Sequence, residues 1–136
     1  MKVRDVLRLL RDDGWYLLVT EGSHRQFKHP TKKARVTVPG KPNDDLPWHT
    51  EQRSEAGWFK AVGERRMRYA IVIEKSDNNY AAYVPDLPGC VATGETIAET
   101  ELQIREAIDL HLRGMREDGL LIPEPSSSVD YVEIAA

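Results

Sequence analysis

No uninterrupted apolar run in this 136-residue chain exceeds five residues, and the longest lie at 15–19, 69–73 and 80–84. A membrane-spanning helix needs about 20, so the chain is expected to build short strands and amphipathic helices around small cores. Lys2, Arg4, Asp5, Arg8, Arg11, Asp12 and Asp13 break any apolar leader in the first twenty residues. Cys90 is the one cysteine, which leaves no intrachain disulfide and no cysteine-based metal site. The expectation is a cytoplasmic protein with no metal and no cofactor.

The net charge of −3 hides a division. Residues 1–66 hold 14 Lys and Arg against 9 Asp and Glu, a net of +5, whereas residues 67–136 hold 5 against 13, a net of −8. A basic part that suits a polyanion is thus followed by an acidic part able to compete for the same surface.

The hydrophobic pattern changes at the same place. Val3, Val6, Leu7 and Leu10 recur at helical spacing, and Gly14 is placed to end that helix. Residues 15–20, 24–29 and 35–38 have strand composition, separated by Glu21-Gly22-Ser23 and by a turn at 30–33. Residues 48–66 have little apolar periodicity apart from Trp58, Phe59, Ala61 and Val62, and read as an altered helix or linker. From Met67, strands are expected at 68–75, 80–87 and 91–94, the first two joined through Ser76-Asp77-Asn78-Asn79. Thr96 with Glu99 forms a capping box for a long helix. Its buried stripe is expected to hold Ile97, Ile104, Ala107, Ile108, Leu112 and Met115, with Gly119 at its end and a final strand at 129–134. The fold class is therefore α+β: an α-β-β-β-(α) unit at 1–47, the linker at 48–66, and a β-β-β-α-β unit at 67–136.

Alternation along residues 24–29 sets His24, Gln26 and Lys28 on one face and Arg25, Phe27 and His29 on the other. Phe27 marks the core side, so His24, Gln26 and Lys28 are expected to look toward solvent. Between Arg25 and Lys41 there are six cations and no carboxylate, a surface suited to phosphate oxygens. An imidazole in that field can act as general base on a ribose 2′-hydroxyl or as acid toward the leaving 5′-oxygen. The same histidine is equally at home as a solvated polar side chain, and the basic run as a solvated loop.

Gly14-Trp15, Gly22-Ser23-His24, Phe27-Lys28-His29-Pro30, Val36-Thr37-Val38-Pro39 and Asp45-Leu46-Pro47 together resemble the HicA family of mRNA interferases. That resemblance implies a fold like the double-stranded-RNA-binding domain, with His24 as a metal-independent catalytic histidine supported by the Gly22, Ser23 and Phe27 motif positions. Lys28, Lys32, Lys33 and Arg35 are assigned to RNA by their charge. The run from Tyr80 through Val84-Pro85-Asp86-Leu87-Pro88-Gly89-Cys90, with Gly94-Glu95-Thr96 and Ala107-Ile108, resembles HicB antitoxins. This implies a partial RNase H-like fold that docks on the toxin, in cis or in trans, and covers its histidine. Homo-oligomers are expected. Too few residues follow Pro123 for a helix-turn-helix, so DNA binding is not expected. Asp86, Glu95 and Asp109 lack the spacing of a metal-binding carboxylate pair.

HicA-type toxins end in an apolar helix where this chain has the sequence from Trp48 to Lys60. One choice of synonymous codons for that stretch, read a base out of frame, spells the missing helix. A single-base frameshift that fused two genes is therefore expected. Three functions remain open: a ribonuclease toxin silenced by its own antitoxin, an inactive interaction protein that binds free HicA-type toxins, and a plain RNA-binding module.

Overall fold

The computed structural model describes residues 1–46 and 67–136, so the linker expected at 48–66 lies outside the described residues. Helix α1 (Val3–Asp12) leads into β1 (Tyr16–Glu21), β2 (His24–Lys28) and β3 (Arg35–Pro39). After the linker come β4 (Val72–Lys75), β5 (Tyr80–Tyr83), β6 (Val91–Gly94) and α2 (Ile97–Glu117). The strands form two antiparallel three-stranded sheets, ordered β1-β2-β3 and β4-β5-β6. Both units are thus α+β.

The first unit follows its pattern closely. Val3 and Leu10 are buried and Val6 and Leu7 partly so, against Trp15, Val36, Val38 and Phe27. Gly14, at a φ of 92°, ends α1 and lets the Trp15 amide reach the Leu10 carbonyl at 2.9 Å. On β3 alternate residues Val36 and Val38 enter this core, yet all five residues of the strand are buried. Its polar face is covered too, and what covers it is α2.

In the second unit Ala82, Val84, Leu87, Cys90 and Ala92 pack against Ile104 and Ala107 of α2. The Thr96 hydroxyl accepts from the Glu99 amide at 3.1 Å, as the capping box requires. Four details depart from the sequence pattern. Strand β4 spans only Val72–Lys75 and does not reach back to residue 68. Strand β5 stops at Tyr83 because turns closed by the Leu87 amide on Val84 and the Cys90 amide on Leu87 follow it. Ile97 is 50% exposed, and Thr100 takes the inward place in the first turn of α2 instead.

The strand expected at 129–134 does not form: Tyr131, Val132 and Ile134 are at least 80% exposed. A strand needs an edge to pair with. Here the chain is held earlier, where the amides and hydroxyls of Ser126 and Ser127 donate to Asp86 at 2.8–3.1 Å. Those bonds outweigh the effect of burial and hold the Asp86 carboxyl below its usual range.

The two units are joined through side chains and backbone. Val91 of β6, 4% exposed, belongs to the core of the first unit. Asn79 brackets Asp45, accepting from its amide at 3.0 Å and donating to its carbonyl at 3.1 Å. At the free edge of β3 the Thr37 amide donates to the Gly89 carbonyl at 2.7 Å. Gly89 has φ +81°, and a Cβ there would lie 3.0 Å from the Arg35 carbonyl oxygen, so glycine alone fits this approach. Because one core spans both units, Val91→Ala is expected to lower the stability of the whole chain by about 2 kcal/mol. The readout is a single urea midpoint, and two transitions of which only one moved would show the cores to be independent.

Candidate functional site

The polar face of the first sheet is assembled by register. Antiparallel pairing sets Gln26 beside Thr37 and Lys28 beside Arg35, with His24 at the far end beside Pro39. Residues two apart on β2 share a face, so His24, Gln26 and Lys28 point the same way as Arg35 and Thr37. The expectation that this face meets solvent is corrected by the structure. His24 is 2% and Gln26 1% exposed, because α2 lies across them.

The contacts run along α2 from Gln103 to Asp118, a length of about 22 Å at helical rise. At one end the Ser23 hydroxyl donates to Gln103 Oε1 at 2.7 Å. In the middle Gln26 Nε2 donates to the Leu110 carbonyl and to the Thr37 hydroxyl, each at 3.2 Å. Thr37 Oγ1 also lies 2.7 Å from His111 Nδ1. Burial, with the Arg35 charge, lowers the His111 pKa to about 4, so the ring is neutral at pH 7 and its Nδ1 can accept the Thr37 hydroxyl proton. Arg113 pairs with Glu21 at the rim, at 3.1 Å.

The far end carries the charge. Arg35 Nε donates to Asp118 Oδ2 at 2.6 Å and Nη2 to Oδ1 at 2.9 Å, a two-pronged pair. Lys28 Nζ donates to the same Oδ1 at 2.8 Å, and Arg35 Nη1 to Gln26 Oε1 at 2.5 Å. The Arg35 and Lys28 bonds hold the Asp118 carboxyl at about 2, and the Asp118 bond in turn raises the Arg35 pKa.

His24 lies toward the Ser23 end, on the other side of Gln26 and Thr37 from Arg35. Its Nε2 is buried and has no hydrogen-bond partner among the described residues. Burial lowers its pKa, with Glu106 on α2 pulling weakly the other way. The lowered pKa leaves the ring uncharged at neutral pH and makes it, while covered, a poorer proton acceptor than a solvated imidazole.

Of the residues selected from sequence, His24, Lys28 and Arg35 therefore share one surface. Gly22 and Ser23 form the turn that leads into it, and Phe27 packs on the opposite side with the α1 core. Lys32 is drawn away to Asp13 at the end of α1, and Lys33 is exposed in the connection between β2 and β3. Gln26 and Thr37 were not selected, although alternation along β2 and β3 places both beside His24. On the acidic side, Asp86 is taken up by the serines and Asp109 by Arg113 at 3.3 Å, while Glu95 lies ahead of the α2 cap. No cluster of three or more His, Cys, Asp or Glu placed to hold a metal occurs among the described residues.

Comparison with known proteins divides the chain at the same place. A family model described as the HicA toxin of bacterial toxin–antitoxin matches residues 3–54, and one described as the HicB-like antitoxin of a bacterial toxin–antitoxin system matches residues 69–135. An uncharacterised 14.9 kDa protein of Haemophilus phage HP1 is 41% identical over 66 residues, which cover 48% of this chain and 50% of that protein. The chain thus spans only half the length of the phage relative. A UPF0150 protein of Helicobacter pylori is 42% identical over 65 residues, covering 47% of this chain and 90% of that protein. A UPF0150 protein of Archaeoglobus fulgidus is 42% identical over 59 residues, covering 41% and 86%. No solved structure matches. With a HicA toxin segment followed by a HicB-like antitoxin segment in one polypeptide, the chain belongs to the HicA–HicB toxin–antitoxin family.

Proposed function

We propose that the first unit is a metal-independent endoribonuclease of the mRNA-interferase type, and that the second unit silences it in cis by laying α2 over its active face. The observation that carries this reading is the burial of His24 beneath α2 while Lys28 and Arg35 are both held by Asp118. The α-β-β-β order of the first unit suits a fold like the double-stranded-RNA-binding domain, which meets RNA through its backbone and 2′-hydroxyls.

In the undocked state His24 regains solvent, and its pKa returns toward the ordinary histidine range, where a general base works near neutral pH. The imidazole takes the 2′-hydroxyl proton and the 2′-oxygen attacks the adjacent phosphorus. The bond to the 5′-oxygen breaks and that oxygen is protonated, leaving a 2′,3′-cyclic phosphate and a 5′-hydroxyl. Arg35 and Lys28 lie on the same face and stabilise the charge that builds on the phosphoryl oxygens. Docking blocks both functions, since the histidine is covered and the cations are neutralised. Tethering keeps the mask at a local concentration on the order of millimolar.

Two outcomes test this. Asp118→Lys places a cation against Arg35 and Lys28, and disrupting a buried pair in this way costs roughly 3–5 kcal/mol. The full chain carrying Asp118→Lys is expected to slow growth and cleave mRNA, whereas the parent does neither, and adding His24→Ala should abolish both effects. Equal cleavage with and without His24 would dismiss the histidine as the catalyst. Undiminished RNA binding without cleavage would leave an RNA-binding module.

The second outcome concerns pH. His111 has a folded pKa of about 4 against an ordinary value of 6.5, so the unfolded chain binds the extra proton between those values. Its contribution to stability is complete above pH 6.5 and is lost as pH falls toward 4, about 3 kcal/mol in all. His24 acts in the same direction, and Asp118 adds a further loss only below its ordinary carboxylate range. Urea melts at pH 7 and pH 4.5 should show this slope, and His111→Gln should flatten it. An unchanged slope in that variant would remove His111 from the explanation.

A further inference from the structure

Glycine is a poor helix former, and its presence in the middle of an exposed helix weakens it. Gly114 nevertheless stands fourth from the C-terminal end of α2, on its buried side, one helical turn before Asp118. A Cβ there would stand 2.6 Å from Arg35 Nη1, 2.7 Å from Arg35 Cδ and 2.7 Å from Gln26 Oε1. All three atoms belong to the toxin sheet, and none to the antitoxin's own core.

Arg35 has no easy way to yield. Its side chain is 4% exposed, its Nε and Nη2 are held by Asp118, and its Nη1 is held by Gln26. Moving it aside for a methyl group would break at least one of these bonds. Gly114 and Asp118 are four residues apart and so lie on one face of the helix. Together they make a socket: the glycine gives the guanidinium room to cross the helix, and the aspartate receives its two prongs.

The geometry points to Gly114 as the specificity residue of the antitoxin helix, which accepts a toxin sheet that presents an arginine with a glutamine beside it. The partner chemistry is therefore a guanidinium displayed on a sheet face, as Arg35 is by this chain's own first unit. Lysine in that place would supply the charge without the planar fork that lies in the notch. This inference rests on the docking reading above, but not on the toxin being a ribonuclease.

The experiment uses the full chain with Gly114→Leu and Gly114→Ala. The readouts are amide exchange in β2 and β3, carbethoxylation of His24 by diethylpyrocarbonate, and helical circular dichroism. Both variants should keep or gain helix signal, since either residue favours helix more than glycine does. Both should nonetheless expose the face, with exchange and His24 modification about tenfold faster for alanine, the factor set by losing one charged hydrogen bond. A larger increase is expected for leucine. In the Arg35→Ala background, where the guanidinium is gone, Gly114→Leu should add far less exposure than it adds in the parent.

Unchanged protection of β2, β3 and His24 in both glycine variants would overturn the inference. So would an effect of Gly114→Leu that is as large in the Arg35→Ala background as in the parent. Should leucine unfold the chain, alanine decides, because an ordinary helix position would make that variant better protected than the parent. Exposure of the face without RNA cleavage would sink the ribonuclease reading and leave the socket standing.

Discussion

The pair between Arg35 and Asp118 organises the contact between the two halves of this protein. It joins residues 83 positions apart with both side chains largely removed from water, at 4% and 14% exposure. A buried pair of this kind adds little net stability, since desolvation cancels much of the attraction. Its effect is geometric. A two-pronged carboxylate–guanidinium contact fixes distance and angle together, and so places α2 over β2 and β3 in one register. With that register set, Gln26 meets the Leu110 carbonyl, Thr37 meets His111, and His24 falls under the helix.

Around this pair the interface is graded. The middle is neutral and dry, with Gln26, Thr37 and His111 hydrogen-bonded to one another or to backbone. The rim pair of Arg113 and Glu21 is about half exposed and contributes little. Away from the helix, Val91 in the first core and the Asn79 clasp on Asp45 tie the second sheet to the loop after β3. The two units thus meet through ion pairs, neutral side-chain hydrogen bonds, an apolar side chain and a backbone hydrogen bond. This explains how units this small, each with a modest core, support one another.

Much of this arrangement was legible in the sequence, because it follows from local periodicity. The α-β-β-β order, the cap at Thr96 and the strand at 91–94 each rest on neighbouring residues. The environment of His24 was not legible in the same way. A polar residue alternating with Phe27 has the same pattern whether water or another helix lies over it, and only the charge division between the halves and the family resemblance pointed to a cover. Gln26 and Thr37 were missed because they carry no charge. Their role comes from being between His24 and Arg35. The tail shows the converse limit, since Val129, Tyr131, Val132 and Ile134 have strand-like composition but pair with no strand among the described residues. The residues at 48–66, where the frameshift is expected, lie outside the described structure.

The unmatched nitrogen of His24 bears on how firmly the cover is held. A buried polar atom without a partner costs on the order of 1–3 kcal/mol, and α2 offers this one nothing. The helix therefore grips the sheet at Ser23 and through Gln26, Thr37 and Arg35, but leaves the His24 position between them unsatisfied. A ligand that brought a hydroxyl to that spot would gain what the helix leaves unsatisfied, and would have to overcome only the grip on either side. The contact is in this sense weakest toward the Ser23 end, with the least favourable position falling on the His24 ring.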